Sequence, residues 1–215
     1  MLKLLLGLVG ITGLVVAAGL LIGGGSLLWV DTVLTDQEGF INSTAIEAEV
    51  DGYALVVAST DVDLDPEFPV DFELATFRLQ VENQSASQGI FVGIAPTPSV
   101  EDYLGGVPHA IIEDLGSASP PLEHRSAATL REPERPVDQD FWLGSAAGTG
   151  TQELRWEIQE GEYAFVVMNE DASDGMSFDV VAGVRIPVIR PVSVSLLIGG
   201  ALVLSLGTVF LALAL

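Results

Sequence analysis

Apolar residues follow two regimes along this chain. A long run without charge lies at each end, and between the runs apolar residues come in short stretches or alternate with polar ones. The C-terminal run, Val192 to Leu215, holds 24 residues. At about 1.5 Å per residue these make a helix of roughly 36 Å, longer than the ~30 Å hydrocarbon core of a bilayer. A matching run, Leu4 to Val30, lies at the other end. The pattern predicts transmembrane helices over residues 1–30 and 191–215, with residues 31–190 between them as one domain long enough to build a core.

Within that domain the period is two. Tyr53 to Ser59, Gly89 to Ala95 and Tyr163 to Met168 are nearly continuous apolar runs of strand length, as in strands covered on both faces. Phe77, Leu79 and Val81 alternate with Thr76, Arg78, Gln80 and Glu82, predicting one core face and one wet face. Leu154, Trp156 and Ile158 alternate with Glu153, Arg155 and Glu157, and Glu160-Gly161 then reads as the turn of a hairpin with Tyr163 to Met168. Ala110 to Leu115 and Met176 to Val188 are further strands, and Gly116 to Pro136 reads as a long loop. One short helix is predicted after Pro96, capped by Thr97 or Ser99 and stopped at Gly105-Gly106. About eight strands with one helix predict an all-β, antiparallel β-sandwich, jelly-roll-like, flanked by the two membrane helices.

The N-terminal run carries only Lys3 before a long apolar stretch; Val16 and Ala18 are small enough for cleavage after Ala18, but the run continues for about a dozen residues more, so the preferred reading is an uncleaved signal anchor with Trp29 at the interface. This orientation puts both termini in the cytoplasm and residues 31–190 outside. Gly19 and Gly23 in the first span, and Ser195 and Gly199 in the second, recur at helix-packing spacing and are candidates for close contact between the spans or with a partner's helices or a second copy.

Charge narrows the partners. The sequence has 30 acidic residues against 8 lysines and arginines, a formal net charge of -22, and every acid lies between the spans. Such a domain repels nucleic acid, so no nucleic-acid partner is expected, and the membrane partner is the bilayer holding the helices. With no cysteine there is no disulfide or thiolate chemistry.

Candidate chemistry is sparse. Asp61, Asp63, Asp65 and Glu67 alternate through one segment and offer the carboxylate oxygens that Ca2+ takes, although the glycine and distal glutamate of an EF-hand loop are missing. Asp36 and Glu38 before Gly39 are a weaker version of the same pattern. The competing reading is a solvated strand edge, and no cofactor other than Ca2+ is suggested. Trp142 and Trp156 are candidates for stacking on sugar rings, against the commoner role of filling a core. His109 and His124 lack a nucleophile or metal-ligand partner in any known spacing, so no enzyme is expected. Asn42 and Asn83 each begin an N-glycosylation sequon.

Several stretches resemble a group of prokaryotic, actinobacterial-type membrane proteins without assigned activity. They are Gly39-Phe40 with Ser43, FVGIAP at Phe91 to Pro96, YLGGVPH at Tyr103 to His109, FW at Phe141-Trp142 with SAAGTG at Ser145 to Gly150, LRW at Leu154 to Trp156, and VVMNED at Val166 to Asp171. The resemblance implies one continuous β-rich ectodomain beside membrane helices, in the cell envelope. The expected role is a structural or accessory envelope protein that binds membrane or cell-surface partners. The alternative is an extracellular module binding carbohydrate or a divalent cation.

Overall fold

The computed structural model describes residues 2–58, 75–85, 87–112, 123–125 and 131–215. In chain order the helices are α1 (Leu2–Trp29), α2 (Thr97–Tyr103) and α3 (Ile189–Ala214). The strands are β1 (Ile41–Asn42), β2 (Ile46–Val50), β3 (Ala54–Ala58), β4 (Thr76–Asn83), β5 (Ile90–Pro96), β6 (His109–Ile112), β7 (Glu123–Arg125), β8 (Gly144–Gly148), β9 (Thr151–Glu157), β10 (Tyr163–Asn169) and β11 (Met176–Arg185). The chain divides into two compact units: a helical one, up to Phe40 and from Ile186 to Leu215, and a β unit, Ile41–Arg185.

The helical unit is an antiparallel pair. Both helices are long and apolar enough to cross a membrane. Their buried residues are small and recur every seventh position: Gly10, Ala17 and Gly24 on α1, and Ser193, Gly200 and Gly207 on α3. That is the spacing of a left-handed helix pair. The backbones touch: a Cβ on Gly10 would lie 3.0 Å from the Gly207 carbonyl oxygen, and one on Gly24 would lie 3.0 Å from that of Ser193. α1 continues into a wider π turn, Val30–Leu34, where the hydroxyls of Thr32 and Thr35 donate to the carbonyls of Leu28 and Asp31. Asp31 pairs with Arg190 at 3.8 Å, which joins the two helices at that end.

The small residues chosen from i, i+4 spacing lie elsewhere. A Cβ on Gly19, Gly23 or Gly199 would meet nothing within 4 Å, and Ser195 is exposed. The spans do pack on each other, but through the heptad set. Gly19 and Gly23 are the one glycine pair at i, i+4 in α1, yet the contacting face repeats at i, i+7, so i, i+4 spacing alone does not select it.

In the β unit, one sheet has β11 paired with β1 and β2 on one side and with β4 on the other, followed by β9; the second runs β7-β6-β3-β10-β5-β8. One core holds residues from both sheets, including Leu79, Val81, Leu154, Phe178 and Val180 from the first and Leu55, Val57, Ile90, Val92, Phe165 and Val167 from the second. Phe77 and Phe165 meet across it with ring centroids 4.7 Å apart. The outer face of the second sheet is covered too, by Val100 and Tyr103 of α2 with Leu104 and Val107, against Ala54, Val56, Ala95, Val166 and Met168. This second layer is why β3, β5 and β10 are apolar on both faces, and β10 lies centrally between β3 and β5 as expected.

Four expectations are corrected. β9 and β10 are not a hairpin: β9 pairs with β4 in the first sheet, whereas β10 belongs to the second. Leu154 and Phe165 belong to the same core, as they would in a hairpin, so side-chain pattern does not distinguish strands that pair from strands that face each other. The domain is not purely antiparallel, because β3 and β6 run parallel, with α2 in the connection between β5 and β6. Thr76 and Arg78 do not face water: Arg78 is 3% exposed, with its Nη2 donating to Asn42 Oδ1 at 2.7 Å. Neither Thr97 nor Ser99 caps α2, whose N-cap is Pro96 without a side-chain bond; the Thr97 N–H donates to the Glu162 carbonyl at 3.0 Å instead.

Candidate binding surface

The most developed side-chain constellation outside the core is aromatic. Trp142 packs on Phe141 with centroids 4.4 Å apart, on Phe91 at 5.1 Å and edge-on to Tyr103 at 5.9 Å. Gly93 of β5 makes room for it, since a Cβ there would come within 2.7 Å of the indole and of the Phe91 ring. The indole N–H donates to the Pro136 carbonyl at 2.8 Å, tying the ring to the turn Pro136–Asp138. Tyr103 donates to the Glu134 carbonyl at 2.6 Å. Burial, reinforced by the nearby Glu134 carboxylate, raises its phenol pKa, so it stays protonated as that donor.

The FVGIAP, YLGGVPH, FW and VVMNED stretches thus converge on one face of the second sheet. Their common physical content is packing: an aromatic group, the glycine beneath it and the strand it covers. At its rim Val137 is 37% and Leu143 50% exposed. With its N–H already engaged, Trp142 has no donor left for a sugar hydroxyl. Trp156 lies apart from it, packed against the inter-sheet core beside Tyr163 at 5.5 Å. The structure does not bring the two tryptophans together.

Asp61, Asp63, Asp65 and Glu67 lie outside the described residues. One Asp36 carboxylate oxygen accepts the N–H groups of Glu38 and Phe40, each at 2.9 Å, around Gly39 at φ +83°, so Asp36 is a turn former. Among the described residues no group of three or more His, Asp and Glu side chains could hold a metal ion. His109 Nδ1 lies 2.8 Å from the Val107 carbonyl, which assigns its proton to that nitrogen, and His124 is exposed on β7. Of the sequons, Asn42 accepts from Arg78, whereas Asn83 is 9% exposed and accepts the Ser85 N–H at 2.8 Å.

Two open clefts flank the loop after β10. One, of about 380 Å³, is lined by Ser87, Gln88, Gly89, Arg135, Glu170 and Asp171. The other, of about 460 Å³, contains Tyr53, Arg131, Glu132 and Asp174. In the loop Asp171 accepts both the hydroxyl and the N–H of Ser173, which lowers its pKa. Asn169, fully buried, donates to Ser173 and Gly175 and braces the turn. Alternating apolar pattern carries no signal for either cleft, because both are made by loops from distant parts of the chain.

No protein-family model and no curated protein matches this chain. Solved structures that align with it include the following two. One is CorA, a surface-associated copper-binding protein important in copper acquisition by Methylomicrobium album BG8, 13% identical over 71% of this chain and 96% of its own, with a TM-score of 0.29. The other, from black queen cell virus, is 10% identical over 73% of this chain and 69% of its own, with a TM-score of 0.28. At these scores the alignments carry no argument about this protein.

Proposed function

We propose that the chain is a two-pass envelope protein, with both termini cytoplasmic and the β unit outside, that serves as a structural or accessory subunit engaging membrane or cell-surface partners. The observation that carries this reading is the second set of small residues on the helix pair. The contact between α1 and α3 is already made by Gly10, Ala17, Gly24, Ser193, Gly200 and Gly207. Yet Gly19, Gly23 and Gly199 stay glycine on faces that touch nothing within 4 Å. A glycine in a helix interior costs about 1 kcal/mol relative to alanine, and lipid gives nothing back for it. Close approach of another helix does.

Strand order supports reading the β unit as a jelly roll. Set aside β1, and β6 and β7 as an extension of one sheet. The rest is β2-β11-β4-β9 facing β3-β10-β5-β8, the arrangement of two interlocked Greek keys. On this reading the domain binds and does not catalyse.

The test is a mild-detergent pull-down of tagged full-length protein from its native membrane. A stoichiometric membrane partner is expected with the wild type, and its loss with the Gly19→Leu/Gly199→Leu double variant while the β unit stays folded. Wild-type protein recovered alone overturns the reading.

A further inference from the structure

Each sheet has two edges, and the four are not treated alike. β2 carries Glu47 and Glu49, exposed; β7 is Glu123-His124-Arg125, all exposed; β9 carries Glu153, Arg155 and Glu157. Charges along an edge discourage other chains from pairing there. β8, the remaining edge, is Gly-Ser-Ala-Ala-Gly, without a charge, a proline or a bulky side chain. Among the described residues it pairs with β5 alone, and the side chains of Ser145 and Ala147 are exposed. The device that closes three edges is absent at the fourth, where small side chains leave the backbone open to approach.

Leu143, directly before β8 in the chain, is exposed, as are Val137 in the turn that the Trp142 indole holds and Asp138 and Asp140 between the two. We infer that β8 receives an extended segment of a partner protein by strand addition, with apolar residues over Leu143 and Val137 and basic residues against Asp138 and Asp140. Charge selects the occupant. A second copy of a chain with net charge -22 would set the same carboxylates against each other, whereas a basic segment complements them. This rests on the partner-binding reading above and names the chemistry of the partner.

The probe is a short blocked peptide alternating valine with lysine or arginine, added to the full-length protein in detergent. Two comparison peptides are the same sequence N-methylated at alternate backbone nitrogens in either phase, and one with glutamate in place of the basic residues. Slowed amide exchange at Ser145 to Ala147 is expected with the basic peptide. Its affinity is expected to exceed those of the acidic peptide and of one N-methylated phase by at least about tenfold. Equal binding of both N-methylated forms, equal binding of the acidic peptide, or no protection at β8 overturns the inference. Failure here with a membrane partner still co-purifying removes only the edge assignment. Wild-type protein recovered without a membrane partner but with peptide binding intact removes the helix reading and leaves the edge assignment standing.

Discussion

Gly93 shows how one missing side chain organises a surface. Its Cβ would sit 2.7 Å from both Phe91 and Trp142, so Gly93→Ala must displace the indole that holds the Pro136 turn. Overpacking of this kind costs about 1–3 kcal/mol, and the near-ultraviolet circular dichroism of Trp142 should change with it. An unchanged spectrum and melting temperature would mean that the indole is not seated on β5. The glycine is visible in the sequence, but its partner lies some fifty positions away and no local spacing connects them. Asp171 is a second case. The hydroxyl and N–H of Ser173 hold its carboxyl below the ordinary value of 3.8. A depressed folded pKa contributes stability above the unfolded value and loses it as pH falls through the folded one. The wild type should therefore exceed Asp171→Ala in urea midpoint near neutrality, and the gap should close below about pH 3.8. A gap that persists in acid would show that the carboxylate's charge is not what braces the loop.

At the scale of elements, the helix pair and the two sheets differ in how openly the chain declares them. The spans are legible because a bilayer demands about 20 apolar residues and little else supplies them. Their contacting faces are less so: Gly10 and Gly19 are the same residue type in the same helix, and only the heptad repeat shared with Ser193, Gly200 and Gly207 separates them. Gly10→Leu should break the pairing of α1 with α3, since even a Cβ meets the Gly207 backbone at 3.0 Å, whereas Gly19→Leu should leave it intact. Disulfide trapping between cysteines placed in the two helices distinguishes these outcomes, and equal trapping in both variants would refute the heptad contact. In the β unit the central place of β10 follows from apolar residues on both its faces. The partner of β9 does not, because Leu154 and Trp156 reach the core whichever sheet β9 joins. Leu79, fully buried on β4, belongs to that shared core, and Leu79→Ala should cost about 2–5 kcal/mol by chemical denaturation. A loss well under that range would argue that the sheets do not close on each other.

For the whole molecule, the division of charge nearly follows the division of structure: every acid except Asp31, Asp36 and Glu38 falls within Ile41–Arg185. Acids are confined to the stretch between the spans, and within it the described residues build two sheets around a common core with a second apolar layer under α2. The most elaborate side-chain cluster of that unit, around Trp142, is packing whose hydrogen bonds are used internally. Among the described residues, β8 presents an uncharged strand edge in one unit, and Gly19, Gly23 and Gly199 present faces in the other where an added Cβ would meet nothing within 4 Å. A two-pass envelope protein requires the β unit on one side of a membrane and both ends of the chain on the other. Because the chain has no cysteine, single cysteines can report this without background. Intact cells carrying Glu160→Cys, Leu2→Cys or Leu215→Cys would be treated with a membrane-impermeant maleimide before and after permeabilisation. Immediate labelling is expected at residue 160, and labelling at 2 and 215 only once the membrane is opened. Protection of residue 160 in intact cells, or free labelling of either end, would contradict the two-pass arrangement.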